Sequence, residues 1–187
     1  MNALPAVAIL ALAAATAACI YWAAGVYNVL VSTRNAAREA RALVDVQAQR
    51  RYDLVPNLVE TVGGYASHER AIFERVARAR EAALRSTTVG EQSRSDGELA
   101  TALRGLLAVA EAYPALKASS NFQELQNELA ATENRIAFAR QAYNEAVMAY
   151  NTRLQVVPDC LVASLFAFRQ MEFFEAEAHA RNPVHVS

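Results

Sequence analysis

The run from Leu4 to Val26 contains no charged residue, and no other stretch of the chain restricts the fold so strongly. As a helix it would extend roughly 34 Å at about 1.5 Å per residue, enough to cross the ~30 Å hydrocarbon core of a bilayer once. Much of the run is alanine, so insertion rests on Leu4, Val7, Ile9, Leu10, Leu12, Ile20, Trp22 and Val26. Tyr21, Trp22 and Tyr27 gather at its distal end, where amphipathic rings favour the headgroup layer. From Tyr27 to Tyr52 there is neither Gly nor Pro, and Ala, Arg, Glu, Gln and Leu dominate, so the membrane helix is expected to continue as a rigid stalk.

Cleavage is the competing fate of this segment, because Ala17 and Ala18 before Cys19 resemble a signal-peptide or lipoprotein processing site. No Lys or Arg precedes the apolar run, which favours an uncleaved anchor. Arg34, Arg38 and Arg41 come after it, and the positive-inside rule then puts the soluble body in the cytoplasm. The two cysteines, Cys19 and Cys160, form neither a disulfide framework nor a C-x-x-C motif, and both read as unpaired, packed thiols. A formal net charge of -1, from 18 basic and 19 acidic side chains, gives no bias toward nucleic acid.

Beyond the stalk, Asp53 and Pro56 predict a kink or short turn, since proline removes a helical donor and Asp53 can cap the next helix. A second helix is expected over 57–85, with Leu58, Val62, Tyr65, Ile72, Val76, Ala79 and Ala83 on one stripe and Gly63 and Gly64 weakening it. Residues 86–97 are rich in Ser, Thr, Gly and Asp and read as a loop, with Ser95 or Asp96 starting a third helix that Pro114 helps to end. The fourth helix has the cleanest period: Phe122, Leu125, Leu129, Thr132, Ile136, Ala139, Tyr143, Ala146 and Tyr150 alternate by three and four, a heptad seam. Pro158 ends it, and the apolar segment 161–174 must dock on the bundle, the membrane or a partner. The expectation is an all-α chain: an elongated antiparallel helical bundle of about four long helices with an N-terminal transmembrane helix. Its parts would be an anchor at 1–27, a bundle at 28–175 and a polar tail at 176–187.

Chemistry is sparse. His68 beside Glu69 has no second histidine at helical spacing and reads as a surface side chain, while His179 and His185 fall in the polar tail. No G-x-S-x-G elbow or phosphate-cradling glycine motif occurs. Asp45, Arg50, Arg51, Asp53 and Glu60 form the best polar constellation: either a charged recognition surface or, the favoured reading, ion pairs that fix helix register. Gln126, Glu128, Glu133, Asn134, Arg140, Asn144 and Asn151 flank the heptad seam, where some would hydrogen-bond across the bundle. The pairs Tyr143-Asn144 and Tyr150-Asn151 recur one heptad apart, with Tyr27-Asn28 at the membrane exit, and their rings and amides suit packing better than a cofactor.

The blocks YN at 27–28, DVQ at 45–47, RRYDLVPNLVETV at 50–62, GYASHE at 64–69, EAYPALK at 111–117 and FQELQNELAATENRIAFARQAYNEAV at 122–147 resemble the LemA family of bacterial membrane-anchored helical proteins. The family pattern implies an anchored helical bundle in the bacterial inner membrane with no established catalytic activity and no cofactor. It implies a scaffold or adaptor linked to membrane protein quality control or envelope stress, with magnetosome membrane formation in a distant branch. Signature positions carried over by the resemblance are Arg51, Asp53, Pro56, Asn57, Glu60, Tyr65, Glu111, Tyr113, Pro114, Gln126, Glu128, Glu133, Asn134, Arg140, Tyr143 and Asn144. The chain departs from the pattern at Ala42 and Leu43, where a bulky aromatic is usual, and at Val157, where phenylalanine is usual.

The expected partners are therefore the lipid bilayer and membrane proteins, with a homo-oligomer left open and neither nucleic acid nor a small-molecule substrate expected. A membrane-shaping or lipid-contacting protein, touching the bilayer through its Phe-rich tail and stalk arginines, is the alternative. An enzyme would require a polar pocket inside the bundle.

Overall fold

The computed structural model describes residues 4–174, with side chains from residue 7 onward. The polar tail expected at 176–187, including His179 and His185, lies outside the described residues. Six helices and no strand occur among the described residues: α1 (Leu4–Gly63), α2 (Arg70–Arg85), α3 (Val89–Ala110), α4 (Pro114–Lys117), α5 (Ser120–Gln155) and α6 (Asp159–Leu165). The expected all-α class is what the chain adopts. The first part of α1 is long and apolar enough to cross a membrane, with a mean hydropathy of 2.0 over its most apolar 18-residue stretch.

Stalk and anchor are indeed one helix, but α1 does not break at Asp53 or Pro56. It runs on to Gly63, with Pro56 inside it. A proline at position 56 cannot donate to the carbonyl of Tyr52 four residues earlier. Here Arg80 of α2 takes over that role, its Nε donating to the Tyr52 carbonyl at 2.7 Å. The break comes instead at the glycine pair, where Gly64 N–H still reaches the Glu60 carbonyl at 3.1 Å before the chain turns. Tyr65 and His68 are left exposed in that turn, and the second helix starts only at Arg70. From there the expected stripe holds: Ile72, Val76, Ala79 and Ala83 are buried.

The expected loop at 86–97 is also corrected. Only 86–88 lies outside the helices, because Thr88 and Glu91 form a capping box: Thr88 Oγ1 accepts from Glu91 N–H at 3.1 Å and the Glu91 carboxylate accepts from Thr88 N–H at 3.2 Å. Ser95 and Asp96 do not start this helix; they are buried inside it. Pro114 likewise opens the short α4 rather than closing α3, which ends at Ala110.

The described chain divides into two compact units that share α1 and α5. The body unit comprises Ala40–Asn144 and residues 172–174. Its core joins Val55, Leu58 and Val62 of α1 to Val76 of α2, Leu99, Leu103 and Leu106 of α3, Leu116 of α4 and Phe122 and Leu129 of α5. Gly105 permits close packing of α3 on α2, since a Cβ there would lie 2.9 Å from Ile72 Cδ1. The anchor unit comprises residues up to Glu39 together with Glu145–Met171. Its core is Leu30, Val162 and Ala163, with Ala23, Val26, Leu154 and Phe168 packed against them.

Both long helices carry seams with a period of seven. On α5, Phe122, Leu129, Thr132, Ile136, Tyr143 and Tyr150 of the expected seam are buried, while Leu125, Ala139 and Ala146 are half-buried. On α1, Leu30, Ala37, Val44, Arg51 and Leu58 are buried at the same interval. Arg51 thus occupies a seam position that heptad logic reserves for an apolar side chain.

Candidate functional site

Burying a charged side chain is tolerated only where partners compensate it. In the body unit, Arg51 of α1 and Asp96 of α3 are each 2% exposed and pair directly. Arg51 Nη1 also donates to both carboxylate oxygens of Glu133 on α5, at 3.1 and 3.3 Å. Arg140, two turns further along α5, donates from Nη2 to Asp96 Oδ2 at 2.5 Å, and the Tyr52 hydroxyl donates to Asp96 Oδ1 at 2.7 Å. Two arginines and two carboxylates make the cluster formally neutral, and its members come from three helices.

This closed pairing sets the electrostatics. Burial alone would lower the Arg51 guanidinium, but the charges of Asp96 and Glu133 outweigh it and hold Arg51 above its ordinary value. Burial and the hydrogen bond to Asp96 push the Tyr52 phenol up to about 12. Arg51 and Tyr52 are thereby held protonated near neutrality, which suits a fixed structural joint better than proton transfer.

A second arrangement explains the two Tyr-Asn pairs of α5. In the body unit, Asn144 makes two bonds to one residue of the chain beyond α6: its Nδ2 donates to the Phe174 carbonyl at 3.1 Å, and its Oδ1 accepts from Phe174 N–H at 2.9 Å. The Tyr143 hydroxyl donates to the Glu172 carbonyl at 2.8 Å. In the anchor unit, Asn151 holds Met171 by the same two bonds, both 2.9 Å, and the Tyr150 hydroxyl donates to the Arg169 carbonyl at 3.0 Å. The two asparagines are seven residues apart on α5 and the residues they hold are three apart in the tail. Phe174 also stacks between cations, with the guanidinium carbons of Arg41 and Arg140 4.9 and 5.0 Å from its ring centre, and meets Tyr143 edge-on at 5.2 Å. Burial raises the phenols of Tyr143 and Tyr150, so both remain donors.

The signature positions therefore separate. Arg51, Glu133 and Arg140 meet around Asp96, while Tyr143 and Asn144 hold the tail. Arg50 pairs with Glu128 at 2.7 Å on the surface, and Asp53 does not cap a helix but accepts from Gln49 at 2.8 Å. Pro56, Asn57 and Glu60 are exposed along α1, and Tyr65 is exposed just beyond it. Glu111, ion-paired to Lys117 at 3.2 Å, closes the corner in which Tyr113 and Pro114 start α4. Gln126 and Asn134 are exposed on the rim of a groove of about 410 Å³ between α3 and α5, floored by Leu103, Leu107 and Leu129. Asp45, from the sequence constellation, pairs with Arg41 at 3.2 Å. Cys19 is an exposed free thiol rather than a packed one; Cys160 is free and half-buried. Among the described residues no set of three His, Cys, Asp or Glu side chains converges to hold a metal.

Asp96 and Gln92 are the residues sequence reasoning missed. Their composition reads as loop, yet counting from Leu106 through Leu103 and Leu99 toward the N-terminus by the same alternation lands on Asp96 and then Gln92, both buried. That period was the available signal.

A family model described as the LemA family matches residues 40–187. Relatives include Magnetosome protein MamQ 2 of Paramagnetospirillum magneticum, 25% identical in an alignment 184 residues long that covers 84% of this chain and 68% of the relative. Magnetosome protein MamQ of Magnetospirillum gryphiswaldense is 24% identical with the same coverage. The family match spans most of the chain, and the chain belongs to the LemA family.

Proposed function

We propose that this chain is a non-catalytic, single-pass membrane-anchored adaptor whose body unit binds a segment of a protein partner in the groove between α3 and α5. The observation that carries the reading is the division of labour among signature residues. Arg51 and Arg140 are consumed in internal pairing and Glu133 reaches both that joint and the groove wall, whereas Gln126 and Asn134 stand exposed beside an apolar floor of Leu103, Leu107 and Leu129. Such a floor with polar edges suits a helix or extended segment that buries apolar side chains and hydrogen-bonds along its rim. Arg34, Arg38 and Arg41 favour a cytoplasmic body, and the magnetosome relatives support a role at a membrane. Partners of this kind are consistent with membrane protein quality control or envelope stress.

The test is site-specific photocrosslinking in cells. A photoreactive residue at Asn134 should capture a discrete protein, while one at Glu81, exposed on α2, should not. Equal yields from both positions, or none from Asn134, would contradict the adaptor reading. The lipid-contacting alternative is favoured by a separate feature of the anchor unit.

A further inference from the structure

Within the anchor unit, α6 packs on Ala23, Val26 and Leu30, the last turns of the uncharged part of α1. A segment seated there occupies the level at which α1 leaves the membrane, where Tyr21, Trp22 and Tyr27 also cluster. The outer face of this elbow is apolar: Val156, Val157, Leu161, Leu165 and Phe166 are exposed, Leu165 by 77%. Between Leu154 and Phe168 the only charged residue is Asp159, and its carboxylate is tied to Arg153 at 3.0 Å with 16% of its side chain exposed. Cations lie just outside the apolar run: Arg153 before it, Arg169 after it, and Arg34 stacked on Phe168 at 5.0 Å.

An exposed patch of large apolar side chains is unfavourable in water. An apolar face edged by arginines is instead the pattern of a segment lying in the boundary between headgroups and acyl chains. We propose that the α5–α6 elbow is a second, shallow membrane contact, inserting Val156, Val157, Leu161, Leu165 and Phe166 into the interfacial layer beside α1. The inference deepens the lipid-contacting reading and rests on Leu4–Val26 being the membrane-spanning segment. It makes the anchor a two-point attachment, which restrains rotation about α1 in a way that one helix cannot.

The experiment uses the full chain with Cys19 and Cys160 replaced by serine, reconstituted in phosphatidylcholine–phosphatidylglycerol vesicles. A single cysteine carrying an environment-sensitive fluorophore is placed by Leu165→Cys, by Leu12→Cys as the deep reference, or by Phe138→Cys as an exposed reference in the body unit. The Leu165 probe should be quenched several-fold more by lipids brominated high on the acyl chain than the Phe138 probe, and several-fold less by aqueous iodide. Equal iodide quenching at Leu165 and Phe138, with the Leu12 probe deep, overturns the elbow contact while the spanning segment stands. A Leu12 probe open to iodide overturns both. A Leu165 probe shielded from iodide yet untouched by brominated lipid means that protein, such as a second copy of the chain, covers the face, and this also overturns the proposal.

Discussion

The two units use the same side-chain device on the tail residues that each contains, and fill their interiors in opposite ways. Asn151 grips Met171 in the anchor unit as Asn144 grips Phe174 in the body unit, each with a tyrosine donating two residues upstream in the tail. Inside, however, the seam of α1 carries Leu30 and Ala37 in the anchor unit, whereas the same seven-residue register reaches Arg51 in the body unit. An apolar interior is indifferent to which helices supply it. A buried arginine is satisfied only where Asp96 and Glu133 arrive together, so α3 and α5 can pack against α1 in few registers. The contrast places specificity in the body, while the anchor unit keeps apolar side chains for its interior and its exposed face alike.

Disrupting the body joint should have the largest effect. Arg51→Met leaves Asp96 short of its closest cation and should cost about 3 kcal/mol in urea unfolding of the chain in detergent, monitored by circular dichroism. No single apolar truncation of a surface residue in the anchor unit should approach that.

The proline repair comes next. Arg80→Ala leaves the Tyr52 carbonyl unsatisfied and should cost about 1–3 kcal/mol. In a Pro56→Ala background, where an N–H is restored to the ladder, the same substitution should cost markedly less; equal losses in both backgrounds would remove the link between Arg80 and Pro56.

The clamps test whether the units open independently. Asn151→Ala should raise amide hydrogen exchange at Met171 and Asn144→Ala at Phe174, each destabilising by about 1–2 kcal/mol. Exchange rising at both amides in either variant would mean that the two clamps act as one.

A smaller effect concerns pH. The Tyr52 phenol has a folded value of about 12 against an ordinary 10, so the folded state keeps a proton that the unfolded chain releases. Its contribution is fully present below pH 10 and is lost as pH rises toward 12. Tyr52→Phe should flatten that part of the stability profile, while a Tyr150→Phe control should change it less. The smallest change expected is a gain. Ala167 has φ 53° at the left-handed end of α6, where Phe168 N–H reaches the Ala163 carbonyl at 2.9 Å. Ala167→Gly should therefore stabilise the anchor unit by about 0.5–1 kcal/mol, read as a shift in urea midpoint.

Much of this contrast was legible in the sequence. The charge-free run of α1, the seam of α5 and the docking of part of the Phe-rich tail are all products of periodicity and hydrophobicity, which act locally. Three features are not. Pro56 stays helical because a side chain from another helix, Arg80, replaces the missing donor, and no local rule encodes that. The start of α3 is hidden because Ser, Thr, Gly and Asp near a helix start resemble a loop unless the Thr88–Glu91 box is recognised. Asp96 is hidden for a related reason: acids are expected at surfaces, and only its partners Arg51 and Arg140 make its burial tolerable. The polar signature residues are visible in the sequence, but their division into internal joint and exposed rim depends on which helix faces meet.

The central claim is that Arg51 and Asp96 form a structural joint, and a double-mutant cycle tests it most directly. Arg51→Met, Asp96→Leu and the double variant would be unfolded in urea in the same detergent. The account predicts that the double variant loses less stability than the sum of the two singles, by on the order of 2 kcal/mol, because neither charge is left buried without the other. Additive losses, agreeing within about 0.5 kcal/mol, would mean that the two side chains are not coupled and would contradict the joint.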